Sequence, residues 1–224
     1  MFQRHSHPLL HKFAILGCAA LLLSGSAMAD GQLRSLPDPL QDLTSSTGQQ
    51  TAVLAGGCFW GIDAVFKHVK GVTSTTSGYA GGQANSASYY QVSRGTTGHA
   101  EAVRVVFDPK QISYGQLLKI YFSVAHNPTE LNYQGPDHGT QYRSAIFYSN
   151  DAQRQVAQAY IKQLQSMKLY PAPIVTQVAA LAAFYPAEDY HQNYLALHPD
   201  QPYIVANDLP KLEHLRQEFP GVYQ

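Results

Sequence analysis

Between residues 51 and 61 the chain reads TAVLAGGCFWG, and this hand-over narrows the possible folds more than any other stretch. Thr51 to Ala55 is a short apolar run, suited to a strand buried on both faces. Gly56 and Gly57 end it, and Ile62, Val65, Phe66 and Val69 then recur at helical spacing until Lys70 and Gly71. Cys58 lies where the strand gives way to the helix.

The following segments continue the alternation. GVTSTTSGYAGG is rich in β-formers and closes on a glycine turn, and AVRVVFD at 102–108 alternates as a strand does. Ser113 is a cap for a helix carrying Leu117, Leu118, Tyr121 and Phe122, and YRSAIFYS at 142–149 reads as a strand. A helix over 152–167, a strand near 174–180 and short helices near 187–196 and 209–218 complete the reading. The first six elements run β-α-β-β-α-β, the order of the ferredoxin-like split unit. The expected fold class is α+β: a two-layer sandwich with a ferredoxin-like core, a mixed sheet and helices on one face.

The 224 residues suit one domain with appendages. Arg4 and Lys12 precede an apolar run from Phe13 to Leu23, and SGSAMAD then supplies small residues at Ala27 and Ala29. Residues 1–29 thus read as a secretory signal cut after Ala29, too short for a span of about 20 apolar residues. ILGC at Cys18 loosely resembles a lipid-attachment box, but the apolar run continues well past it, so no stable membrane anchor is expected. Residues 30–50 mix Pro, Gly, Ser, Thr and Gln without periodicity and read as an N-terminal linker before a catalytic domain at 51–224. Export places the protein in the periplasm or outside the cell.

Fifteen basic and fifteen acidic residues, with no run of like charge, exclude a nucleic-acid or anionic-membrane footprint. Beyond residue 29 Cys58 is the only cysteine, so it is either an inert buried residue or a thiol kept for use. A helix N-terminus favours thiolate through the helix dipole and unpaired N–H groups. Glu101 opens an apolar strand; facing a dry pocket it would hold its proton and act as an acid, whereas at a solvated strand end it would not. GPDHGTQYRS gathers Asp137, His138, Tyr142 and Arg143 into one loop, either functional or a hydrogen-bonded turn. FYPAEDYHQNYL puts Glu188, Asp189 and His191 on one predicted helix, for which an amphipathic surface role suffices. Beyond residue 29 no His-x-x-x-His or Cys-x-x-Cys pair and no glycine-rich phosphate loop occurs, so neither a metal nor a nucleotide cofactor is expected. Two other classes stay open on these residues alone. One is a thiol hydrolase pairing Cys58 with His138 or His191; the other is a peptide-binding module with Phe59 and Trp60 on its aromatic face.

GGCFWG, GYAGG, TGHAEAVRV, DHGTQYRSAI and FYPAEDYHQNYL, in this order and spacing, resemble the peptide methionine sulfoxide reductases of the A class, which act on the S epimer. The similarity covers about residues 51–224. It implies that Cys58 is the nucleophile, Glu101 the proton donor to the sulfoxide oxygen, and Phe59 and Trp60 the aromatic pair around the substrate methyl group. Tyr89, in SYYQV, and Tyr142 then correspond to the tyrosines that hydrogen-bond the oxygen, and Asp137 to the aspartate that orders the pocket. It further implies oxidised proteins as substrates, no bound cofactor and repair through a sulfenic acid on Cys58. Many members carry resolving cysteines toward the C-terminus, and this chain has none there. An external thiol, small or thioredoxin-like, is therefore the implied reductant.

Overall fold

The computed structural model describes residues 35–43 and 48–224. The segment read as a secretory signal, with Cys18, lies outside the described residues. The principal elements are β1 (Gln50–Ala55), α1 (Phe59–Lys67), β2 (Val72–Ala80), β3 (Ala100–Phe107), α2 (Tyr114–Ile120), β4 (Ala145–Tyr148), α3 (Asp151–Ser166), β5 (Gln177–Ala180), β6 (Phe184–Pro186) and α4 (Leu209–Glu218).

Six strands form one sheet in the order β5-β4-β1-β3-β2-β6. The four inner strands pair antiparallel in the ferredoxin-like order, and β5 joins β4 in parallel, which makes the sheet mixed. Side chains alternate across the sheet with period two. Ala52 and Leu54 of β1, with Val103, Val105 and Phe107 of β3, therefore enter the large core beneath the helices, alongside Ile62, Val65 and Phe66 of α1. Val53, Ala55, Ala100 and Ala102 point to the opposite face, where they meet Phe147 and Phe184. Glu101 has the same parity as Val103 and Val105, so the alternation that builds the core also buries this carboxyl, leaving it 2% exposed.

Local chemistry fixes the helix starts. Ser113 and Gln116 cap α2 reciprocally, with the Gln116 N–H donating to Ser113 Oγ at 3.1 Å and the Ser113 N–H to Gln116 Oε1 at 2.9 Å. Asn150 caps α3 by accepting from the Gln153 N–H at 2.9 Å. Past Ile120 the chain continues as one wider helical turn, Tyr121–Ala125, which carries Tyr121 beneath the end of β1. There its buried hydroxyl donates to the Ala55 carbonyl at 2.6 Å.

Two expected elements take other forms. The stretch expected as one helix over 187–196 is a single tight turn, Asp189–His191, and a separate helical turn, Tyr194–Leu197. Asn193 at φ +57 separates them, a left-handed conformation that no helix continues through. The short strand β6, unforeseen because three residues show no periodicity, closes the sheet beside β2.

Residues 35–43, within the stretch read as a linker, are tied to α2 and α3. The Tyr160 hydroxyl donates to the Pro37 carbonyl at 2.8 Å, and Lys119 pairs with Asp38 at 2.9 Å. The Asp42 carboxylate accepts from the Gly115 N–H at 2.8 Å and from the Ser113 hydroxyl, adding a second acceptor at the start of α2. Asp42→Ala should lose a contribution of about 1 kcal/mol, a fall of about 2–4 °C in Tm for a domain of this size. Thermal unfolding followed by circular dichroism measures it.

Candidate active site

Cys58 is the N-cap of α1, reached through a turn that only glycine accommodates easily. Gly57 has φ +97, and a Cβ there would lie 2.8 Å from Gln134. Beneath the turn, His126 Nδ1 bonds the Tyr121 carbonyl at 3.1 Å and Nε2 lies 2.6 Å from Ser144 Oγ. Burial holds the His126 pKa down at about 3, so this support remains neutral.

Cys58, Phe59, Trp60, Tyr89, Glu101 and Tyr142 line one cavity of about 190 Å³, with Asp137, Gln201 and Tyr203 completing its wall. Glu101 lies opposite Tyr79 across the β2–β3 ladder, and its Oε2 accepts from the Phe59 N–H at 3.1 Å. Burial raises its pKa to about 8, with Asp137 adding in the same direction, while the Phe59 hydrogen bond pulls the other way. Near pH 7 the group is mainly a carboxylic acid.

The thiol departs from the expectation of a helix-stabilised thiolate. Cys58 does stand at a helix N-terminus and gains a lowering contact from the Trp60 N–H. Burial, reinforced by the charges of Glu101 and Asp208, nevertheless drives its pKa well above the usual thiol value. Desolvation penalises the thiolate more than a two-turn helix rewards it. The resting pair is a thiol beside a carboxylic acid.

The aromatic wall is cross-braced. Trp60 stacks on Tyr194 with centroids 3.6 Å apart, and its indole N–H donates to His191 Nδ1 at 3.2 Å. His191 also meets the rings of Phe59 and Tyr89, at 5.0 and 4.5 Å. Glu188 accepts from the Tyr79 hydroxyl at 2.8 Å and the Tyr89 N–H at 2.9 Å, which fixes where Tyr89 enters the cavity. Burial raises the pKa values of Tyr89 and Tyr142, so both hydroxyls keep their protons and face the cavity as donors. Asp137 accepts a hydrogen bond from Tyr203, and Arg143 ties the Tyr142 loop to the carbonyls of Thr140 and Gly98 at 2.8 and 2.9 Å.

The structure thus brings together Cys58, Phe59, Trp60, Tyr89, Glu101, Asp137 and Tyr142. His138 stays outside, exposed and stacked on Tyr133, and His191 has its Nδ1 engaged by Trp60. Neither lines the cavity, so among the described residues the geometry offers no histidine base to a thiol hydrolase. Residue-level reading missed His191 as a brace and passed over Tyr194, Gln201 and Tyr203, because each reaches the site from a C-terminal segment without periodicity.

The sequence profile described as peptide methionine sulfoxide reductase matches residues 50–221. The peptide methionine sulfoxide reductase MsrA 2 of Mesorhizobium japonicum is 59% identical over 182 residues, covering 81% of this chain and 93% of that protein. Its counterpart in Synechocystis is 49% identical, covering 87% and 93%. Among solved structures, Mxr1 from Saccharomyces cerevisiae in reduced form aligns with TM-score 0.64 and 32% identity over 72% of this chain and 92% of its own. Methionine sulfoxide reductase A of Corynebacterium diphtheriae aligns with TM-score 0.59 and 34% identity, over 75% and 84%.

The resting state is open to test by iodoacetamide labelling of Cys58 followed by peptide mass analysis. Labelling at pH 7 should be slow, accelerate steadily to above pH 9, and reach half-ionisation at lower pH in Glu101→Gln, where the carboxylate charge is absent. A thiol titrating near its ordinary value in both proteins would contradict the electrostatics.

Proposed function

The chain belongs to the peptide methionine sulfoxide reductase family, and we propose that Cys58 and Glu101 carry out its reaction as nucleophile and acid. The protein is a thiol-dependent oxidoreductase that reduces methionine sulfoxide in peptides and proteins. The observation that carries the residue assignment is an uncharged carboxyl and a thiol lining the same cavity, walled by two aromatic rings.

The substrate's methyl group lies against Phe59 and Trp60, which turns the sulfoxide sulfur to Cys58 and its oxygen to Glu101, Tyr89 and Tyr142. This handed arrangement selects the S epimer. The sulfoxide sulfur becomes electrophilic as its oxygen is protonated, so acid and nucleophile act together. Glu101 gives its proton to the oxygen, and the tyrosine hydroxyls stabilise the charge that shifts there. Cys58 sulfur attacks the substrate sulfur while the Glu101 carboxylate takes up the thiol proton, and the protonated oxygen then passes to the Cys58 sulfur as the substrate S–O bond breaks. Methionine leaves, and Cys58 remains as a sulfenic acid, the reversible rung of thiol oxidation. An external thiol, a small molecule or a thioredoxin-like protein, then returns Cys58 to the thiol; free methionine S-sulfoxide is a further substrate. No bound cofactor takes part in this scheme.

Residues 51–224 are the catalytic domain in this reading, and 30–50 precede it as a connection. Residues 1–29 are a secretory signal, which puts repair of oxidised proteins in the periplasm or outside the cell. A mature protein whose intact mass begins at Asp30 supports that processing; a lipid adduct on Cys18 contradicts it.

A single-turnover assay with a methionine S-sulfoxide peptide and no added thiol tests the chemistry. The expected yield is one methionine per protein with a sulfenic acid on Cys58, and none in Cys58→Ser. The reactive form carries protons on both groups, so the rate should be level below about pH 8 and fall above it as Glu101 ionises. Glu101→Gln should lose about 10²–10⁴-fold in rate together with that alkaline limb. Undiminished turnover in Cys58→Ser would refute the assignment.

A further inference from the structure

A second cavity, of about 140 Å³, also opens onto Cys58. Gln134, Gly135, Asp137, Tyr203 and Lys211 line it. Asp137 and Tyr203 line both cavities, and the hydrogen bond from the Tyr203 hydroxyl to the Asp137 carboxylate joins them into a shared wall. Cys58 therefore stands between two compartments with different linings. The first holds Glu101 and the aromatic rings and, among the described residues, no basic side chain; the second holds Lys211.

Lys211 is held in place from behind. Asp208, wholly buried, accepts from the Lys211 ammonium at 3.1 Å, and a Cβ on Gly61 would run into both residues. That one bond uses one of three N–H donors, so the ammonium retains others for a group in the cavity.

We propose that this second cavity is the route by which the reducing thiol reaches Cys58, so that substrate and reductant approach the same sulfur from different sides. The proposal rests on the reading of Cys58 as the atom that becomes a sulfenic acid. Displacement at a divalent sulfur is in line: the attacking sulfur comes from the side opposite the leaving oxygen. The oxygen arrives from the Glu101 cavity, so the hydroxyl of the sulfenic acid lies on that side. The open space on another side of Cys58 is the Lys211 cavity. The attacking species is a thiolate, and Lys211 supplies a positive charge where it arrives.

The step balances with the thiol as the only co-reactant. A thiolate sulfur bonds to Cys58 sulfur, the S–O bond breaks, and the hydroxide takes a proton from Glu101 and leaves as water. Glu101 recovers a proton from solvent. A second thiolate attacks the mixed disulfide and leaves as the reductant's disulfide, and the released Cys58 thiolate takes a proton from solvent to become the thiol. Two thiols are oxidised for each sulfoxide reduced. The cavity's size suits a thiol on a slender carrier, and the probe for it is 2-mercaptoethanol.

The test starts from full-length protein converted to the sulfenic acid by one turnover, with loss of the sulfenic acid on mixing with 2-mercaptoethanol followed by quenched-flow mass analysis. N-acetyl-methionine amide is added at a concentration that suppresses the sulfoxide step in the reduced enzyme at least tenfold. The thiol step should keep its rate within about twofold, since the occupied cavity is not its route. Slowing in parallel with the sulfoxide step would show one shared route and overturn the proposal. Asn207 also lines the second cavity, so the thiol step in Asn207→Trp should be at least tenfold slower than in Asn207→Ala. Equal rates in these two variants would likewise overturn it. Failure to form any sulfenic acid would instead refute the assignment of Cys58.

Discussion

The active site depends on a carboxyl group that shares the parity of a hydrophobic core. Glu101 projects from β3 on the face occupied by Val103, Val105 and Phe107, so folding the sheet against its helices drives the carboxyl out of water. Leaving its charge unsolvated there would be costly, and the protein meets the problem in two ways. The carboxyl keeps its proton to about pH 8, and it accepts a hydrogen bond from the backbone N–H of Phe59, the residue after Cys58. The same contact that relieves a buried oxygen ties the carboxyl to the residue next to Cys58, the pair proposed as acid and nucleophile. Chemistry and packing are joined at one bond.

From that bond the other features follow in order. The left-handed turn at Gly57 delivers Cys58 to the start of α1, and the α1 N-terminus presents the N–H groups that meet Glu101 and the thiol. Phe59 and Trp60 then project from the first helical turn, where His191 and Tyr194 hold the rings. A neutral histidine is suited to this place, since Nδ1 must accept from the indole, and burial keeps its pKa low. Desolvation is also why the thiol is not a resting thiolate. A protonated, buried cysteine is shielded from stray oxidants.

Legibility in the sequence followed periodicity. The strand–helix alternation from Thr51 to Ser149 was readable because apolar residues recur at two or 3.6 positions, and it led to the inner four strands in their observed order. The position of Cys58 between GG and a helical pattern was visible for the same reason. What β3 does with Glu101 was only half visible: parity put it with the core residues, but strand-end position allowed solvent to reach it. In the C-terminal third the helix over 152–167, the strand near 174–180 and the helix over 209–218 were legible, but the site residues between and beside them were not. His191, Tyr194, Tyr203 and Lys211 lie on turns of three to five residues or at the start of α4, and what brings them to α1 is contact with Trp60 and Gly61 rather than any repeat in their own segment. The thiol's protonation state was misjudged because a sequence displays the helix start but not the depth of burial.

The most direct measurement of the central claim is infrared difference spectroscopy of the protonated-carboxyl stretch, comparing wild type with Glu101→Gln across pH 4 to 10. The account predicts a band unique to wild type that persists through neutral pH and disappears with a midpoint near 8. A band lost with a midpoint near 4.5, the ordinary range for a glutamate, would show the carboxyl ionised in the resting protein and contradict its role as the acid.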